Sequence, residues 1–131
     1  MRINKYNFML LIILLYVAYK MNPEILAGLF KALSEPVRIR ILAILLAKGE
    51  LCVCDLVDTL ALSQSVISRH LAYLRNNDMV TARREGVWMY YQLTEYAQAE
   101  LLPLLQFIEN SVAESSVVQA DLDNLPRAKH C

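Results

Sequence analysis

Residues Leu62–Arg75 read LSQSVISRHLAYLR. Ser63 is suited to cap a helix. Ile67, Leu71 and Leu74 then recur at the spacing that buries one helical face. The other face carries Ser65, Ser68, Arg69 and Ala72, joined by Gln64 and flanked by Tyr73. An ordinary solvated helix usually carries several glutamates; here the first acid, Asp78, comes only after the helix. Such a face suits a DNA major groove. Gln and Arg reach base edges, while Ser and Tyr hold phosphates. His70 reads as a helix-packing or phosphate-touching residue rather than a metal ligand, because His130 is the only other histidine.

Moving outward from this helix, Val53 to Leu60 predicts a preceding helix, with a tight corner at Ala61-Leu62. Downstream, Met79–Glu85 (MVTARRE) and Val87–Leu93 (VWMYYQL) are β-rich and split at Gly86, which predicts a hairpin. Helix, corner, helix and hairpin is the order of a winged helix-turn-helix. The fold class expected is therefore mainly α with a β-hairpin wing. Arg83 and Arg84 near the hairpin tip suit phosphate or minor-groove contact.

Further upstream, Pro23 to Leu33 carries Ile25, Leu26, Leu29, Phe30 and Leu33 at helical spacing. Ser34 is expected to cap the next helix, with Pro36 in its first turn. Val37, Ile41, Ile44 and Leu45 form that helix's buried stripe, with Arg38, Arg40 and Lys48 outside and Gly49 as the stop. Thr94 opens a last helix with the stripe Leu101, Leu105, Ile108 and Val112, and Pro103 predicts a kink or break in it. The chain turns polar after about Ser115, and LDNLPRAKHC reads as a loose tail.

One recognition helix makes few base contacts, whereas two related by a two-fold reach half-sites about one DNA turn apart. A homodimer binding double-stranded operator DNA is expected. Leu26 and Leu29 of the first helix, with Leu101, Leu105, Ile108 and Val112, are its candidate interface.

The 131 residues fit one domain. Three Gly and four Pro exclude collagen-like, low-complexity and bulk-disordered classes. Thirteen basic residues balance thirteen acidic ones, which at first argues against a nucleic-acid binder. The zero is an average. Residues 1–62 carry +2, residues 63–93 another +2, and residues 94–131 carry −4. Mean hydropathy is +0.34, raised by the uncharged run FMLLIILLYVAY at Phe8–Tyr19. That run is shorter than the roughly 20 residues of a spanning helix. A secretory cleavage pattern does not follow it. Residues 1–20 read as an apolar extension: a buried or dimer-packing helix, a segment before a true start at Met21, or a membrane anchor. Residues 21–115 are the DNA-binding domain with its dimerisation helices, and 116–131 a polar tail. A membrane partner is not expected.

Cys52, Cys54 and Cys131 are too few for a disulfide scaffold. Free thiols in a reducing cytoplasm are the better reading. Cys52 and Cys54 lie at a helix start, where exposed N–H groups favour thiolates, and a thiolate pair selects soft ions. Two buried structural thiols are the plainer alternative. Residues two apart on a regular helix diverge by about 200°. Sharing one ion should therefore bend the helix start and disturb the neighbouring recognition helix.

ELCVCDLV at Glu50–Val57, LSQSVISRHLAYLR at Leu62–Arg75 and RREGVWMYYQL at Arg83–Leu93 closely resemble the ArsR/SmtB family of metalloregulatory repressors. They are most similar to its arsenical-resistance repressors, and the resemblance covers roughly Pro23 to Leu102. It implies a dimeric winged-helix repressor that leaves its operator when As(III) or Sb(III) binds, with Cys52 and Cys54 as ligands. One family pattern has a third Cys where this chain has Val57. Cys131 is the tentative third ligand; an exogenous ligand is the other option. Sensing of Cd(II), Pb(II) or thiol oxidation on the same fold is the alternative function. The Cys residues that Cd(II) and Pb(II) sensors add near the N-terminus are missing from residues 1–51. Histidines of the zinc-sensing type are missing from Tyr96–Val118. A thiol enzyme is not expected, for the chain has no Cys-x-x-Cys and no glycine-rich cofactor loop.

Overall fold

The computed structural model describes residues 5–11 and 22–125. Residues 5–11 are helical with exposed side chains. Within them Phe8 is 55% exposed. The rest of the apolar run, 12–19, lies outside the described residues, as does the tail from 126, Cys131 included.

Helix α1 spans Pro23–Ala32, its start capped by Asn22, which accepts the Ile25 N–H at 2.9 Å. Helix α2 spans Pro36–Lys48. Its cap is Glu35, not Ser34. Pro36 fixes the first helical position, so the residue just before it takes the extended cap conformation. The Glu35 carboxylate accepts the Arg38 N–H, while the Ser34 hydroxyl turns back to donate to the Lys31 carbonyl. Gly49, at φ 99°, stops α2.

Strand β1 (Leu51–Cys52) leads directly into α3 (Val53–Leu60). Ala61 adopts the left-handed conformation at φ 55°, making the tight corner. Ser63 then caps α4 (Gln64–Asn76), accepting the Val66 N–H. Strands β2 (Val80–Glu85) and β3 (Trp88–Leu93) form the wing around a two-residue turn, Gly86-Val87. Gly86 sits at φ 63°, which a residue without Cβ adopts at no steric cost. The sheet is antiparallel in the order β1-β3-β2. Thr94 caps α5 (Glu95–Glu100). The chain breaks at Leu101, and α6 (Leu102–Val112) restarts with Pro103 in its first turn, where a missing N–H costs nothing.

The core forms where these apolar faces meet. Ile41, Ile44 and Leu45 of α2 pack with Leu56, Leu60, Ile67, Leu71 and Leu74, closed by Val80, Tyr91 and Leu93 of the wing. Burial of such side chains contributes on the order of 1.5–3 kcal/mol each.

The exposure expected of two α2 arginines also fails. Arg38 and Arg40 are not outside. Arg38 is buried and donates to the Lys31 and Ala32 carbonyls, closing the end of α1, and it stacks 4.1 Å from the Tyr73 ring centre. Arg40 reaches the Leu60 carbonyl and both carboxylate oxygens of Asp121, each at 2.8 Å. Of the stretch LDNLPRAKHC, residues 122–124 are helical and 126–131 lie outside the described residues. Ser116–Asn124 is a helix, α7, with Val118 and Asp121 buried. Leu29, Leu101 and Leu105 of the candidate interface belong to the core of one protomer. Leu26, Ile108 and Val112 are half-buried, while Ile25, Phe30 and Phe107 are the large apolar side chains that α1 and α6 expose.

Candidate functional site

Helix α4 presents Gln64, Ser65, Ser68 and Arg69 to solvent on one face. Ile67, Leu71 and Leu74 anchor the opposite face with no exposed surface, so packing fixes the direction of the polar row. Tyr73 is half-buried beneath Arg38. His70 leaves the exposed row altogether. Its imidazole is buried, with Nδ1 3.2 Å from Arg38 Nη1 and 3.8 Å from Glu35. Burial pushes its pKa down, and Arg38 and Arg69 push the same way against Glu35.

The two wing arginines differ. Arg84 is exposed. Arg83, though also exposed, grips Glu50 with two hydrogen bonds of 2.9 and 2.6 Å and Glu85 with a third of 2.9 Å. It lies 4.5 Å from the Tyr90 ring centre. The hydrogen bond from Arg83 holds the Glu50 carboxyl below the usual carboxylate range, and the two carboxylates raise the guanidinium in turn.

The thiols depart from the regular-helix expectation. Cys52 is not in α3; it ends β1 in extended conformation at φ −77°, ψ 162°. Cys54 lies one turn-start further on. The strand-to-helix junction swings the first side chain round, and the sulfurs stand 3.2 Å apart. No bend in α3 is needed to bring them together. Cys52 is buried and Cys54 half-buried. Both line a cavity of about 260 Å³. Its other walls include Gln64 and Ser68 of α4 and Val87, Trp88 and Met89 of the wing. The thiols and part of the candidate base-reading row thus share one space. No group of three or more His, Cys, Asp or Glu able to hold a metal forms among the described residues. None of the described helices is long and apolar enough to cross a membrane.

The family description "Bacterial regulatory protein, arsR family" matches residues 35–82. The chain is 39% identical over 101 residues to the arsenic resistance transcriptional regulator ArsR2 of Pseudomonas putida, covering 74% of this chain and 88% of that protein. It is 40% identical over 99 residues to the arsenical resistance operon repressor of Escherichia coli K12, covering 76% and 83%. The chain belongs to the arsR family.

Solved structures similar to this arsR-family chain agree on the fold. HlyU from Vibrio cholerae superposes with a TM-score of 0.63 at 32% identity, covering 72% of this chain and 99% of that one. A homodimeric winged helix-turn-helix DNA-binding domain from Mycobacterium bovis, a possible ArsR-family regulator, gives 0.58 at 31%, covering 70% and 83%. The match at residues 35–82 runs from the α2 cap through the thiol junction and α4 into β2. Glu50 and Trp88 are the members of this arsR-family site that the residue patterns did not single out. Glu50 has no visible role in its local sequence, since its partner Arg83 lies 33 positions away. Trp88 read simply as a strand residue.

Proposed function

We propose that this arsR-family regulator is a metalloid-responsive repressor, not an enzyme, working in the cytoplasm. It binds operator DNA as a homodimer through α4 and the wing, and releases it when As(III) or Sb(III) is captured by Cys52 and Cys54. The observation that carries the reading is the 3.2 Å approach of the two sulfurs, in a cavity shared with Gln64 and Ser68. With metal–sulfur bonds of about 2.3 Å, sulfurs 3.2 Å apart subtend about 90° at a shared ion. That angle suits pyramidal As(III) or Sb(III) and is tight for tetrahedral Zn(II). Capture requires both sulfurs as thiolates, hence the reduced protein. Val57 supplies no third sulfur, so the remaining valence is left to Cys131, outside the described residues, or to an exogenous ligand. Ligand in this cavity lies against the start of α4, and its capture disturbs the face that reads DNA.

The test is a gel-shift titration of reduced protein on a duplex it selects from a random-sequence pool, with As(III), Sb(III), Cd(II) and Zn(II) in parallel. Release by As(III) and Sb(III) at the lowest concentrations is expected. Cys52→Ser and Cys54→Ser should bind DNA and resist release. Normal induction of both variants would discard the site, and preferential release by Cd(II) would replace the metalloid reading.

A further inference from the structure

Arg83 reads in sequence as a phosphate contact, but its surroundings give it other work. Three of its donors are spent on two carboxylates, and a guanidinium so neutralised presents a local excess of negative charge. Its place in the sheet is equally particular. Arg83 on β2 pairs with Tyr90 on β3, and Tyr90 pairs on its other side with Cys52 on β1. Directly paired residues share a face of the sheet. Cys52, Tyr90 and Arg83 therefore form one row across all three strands. Arg83 lies over Tyr90 and closes the row by gripping Glu50, two residues before Cys52. Planar, bidentate pairing is also the geometry in which Arg fixes an orientation as well as a charge.

We propose that Glu50 and Arg83 form a brace that ties the thiol-bearing strand to the wing, and that Arg84, not Arg83, is the wing's phosphate contact. Arg83 is then a positioning residue. Displacement of Cys52 on ligand capture passes along β1 to Glu50, and through Arg83 to the strand that carries Arg84. The coupling half of this proposal rests on Cys52 and Cys54 being the effector site; the DNA-contact half does not.

Two measurements on the full-length reduced protein separate these halves, using the selected duplex as probe. The first is the dependence of DNA affinity on salt. A lost phosphate contact lowers the log–log slope by about 0.9. Arg84→Gln should show that drop and Arg83→Gln should not; a drop in Arg83→Gln equal to that of Arg84→Gln would overturn the brace. The second is the ratio of DNA affinities without and with sodium arsenite. Glu50→Gln should bring that ratio to within about twofold of one, while arsenite still titrates the same number of thiols. Exchanging the charges, Glu50→Arg with Arg83→Glu, should restore the ratio. A wild-type ratio in Glu50→Gln would overturn the coupling. If the wild-type protein ignores arsenite and its cysteine variants behave identically, the effector reading falls and the coupling with it, while the salt slopes still decide what Arg83 does.

Discussion

Gln64 and Arg69 stand exposed on a row whose direction is fixed by buried neighbours on the same helix. Replacing either with Ala should remove base discrimination worth roughly 1–3 kcal/mol per lost contact. Competition between the selected duplex and single-base variants would show it; undiminished selectivity in both would remove α4 from base reading. This row was legible from sequence because helical spacing and side-chain chemistry are local. The inward turn of His70 was only half legible, since one histidine at that spacing fits either face. Arg38 settles the matter, and nothing in the sequence signals that an arginine 32 positions earlier is waiting for it. The thiol geometry was misread for a related reason. The 200° divergence holds inside a helix, and Cys52 stands one residue before it.

At the scale of elements, the corner between α3 and α4 and the turn between β2 and β3 were both readable from adjacent residues. Helix α7 was not. Its polar composition suggests a tail, yet Asp121 receives Arg40 from 81 positions away, and Asn124 donates to the Thr59 carbonyl. So α7 clamps α2 and α3, the scaffold under the thiol junction. Asp121→Ala should cost about 1.5–3 kcal/mol, the range for hydrogen bonds to charged groups, as read by urea unfolding. A change below a few tenths would show the clamp to be idle. The α2–α4 contact also predicts a pH dependence. The folded protein holds His70 below its ordinary pKa of 6.5, so the unfolded chain takes up a proton first as pH falls. Stability should therefore decline as pH drops below about 6.5 and continue to decline towards the folded-state pKa. His70→Gln should flatten that decline in unfolding curves; an unchanged pH profile would assign the acid sensitivity elsewhere.

For the whole molecule, apolar surface and charge distribution point to how two copies and DNA come together. Phe30 is 56% exposed and Phe107 68% exposed, on helices α1 and α6 that lie outside the helix-turn-helix. They replace the buried leucines as the proposed dimer contacts. Sequence periodicity marked these helices as apolar but could not divide each stripe between its own core and a partner. Phe30→Glu with Phe107→Glu should yield a monomer that binds DNA weakly, each aromatic removing at most the roughly 1.5–3 kcal/mol of a fully buried side chain. Sedimentation that still shows a dimer would clear this face. Zero net charge also predicts modest long-range attraction to DNA. Affinity should then rest on the +2 segment of residues 63–93.

Trp88 is the single tryptophan of the chain. It lies in the wing, 41% exposed, and lines the cavity that holds both sulfurs. The molecule thus carries its one indole fluorophore at the place where effector and operator would each alter its surroundings. Emission excited at the indole band needs no dye or label, and it reads that single position. A capture event beside the sulfurs and the seating of the wing on DNA should therefore appear as two separable optical signals in one titration.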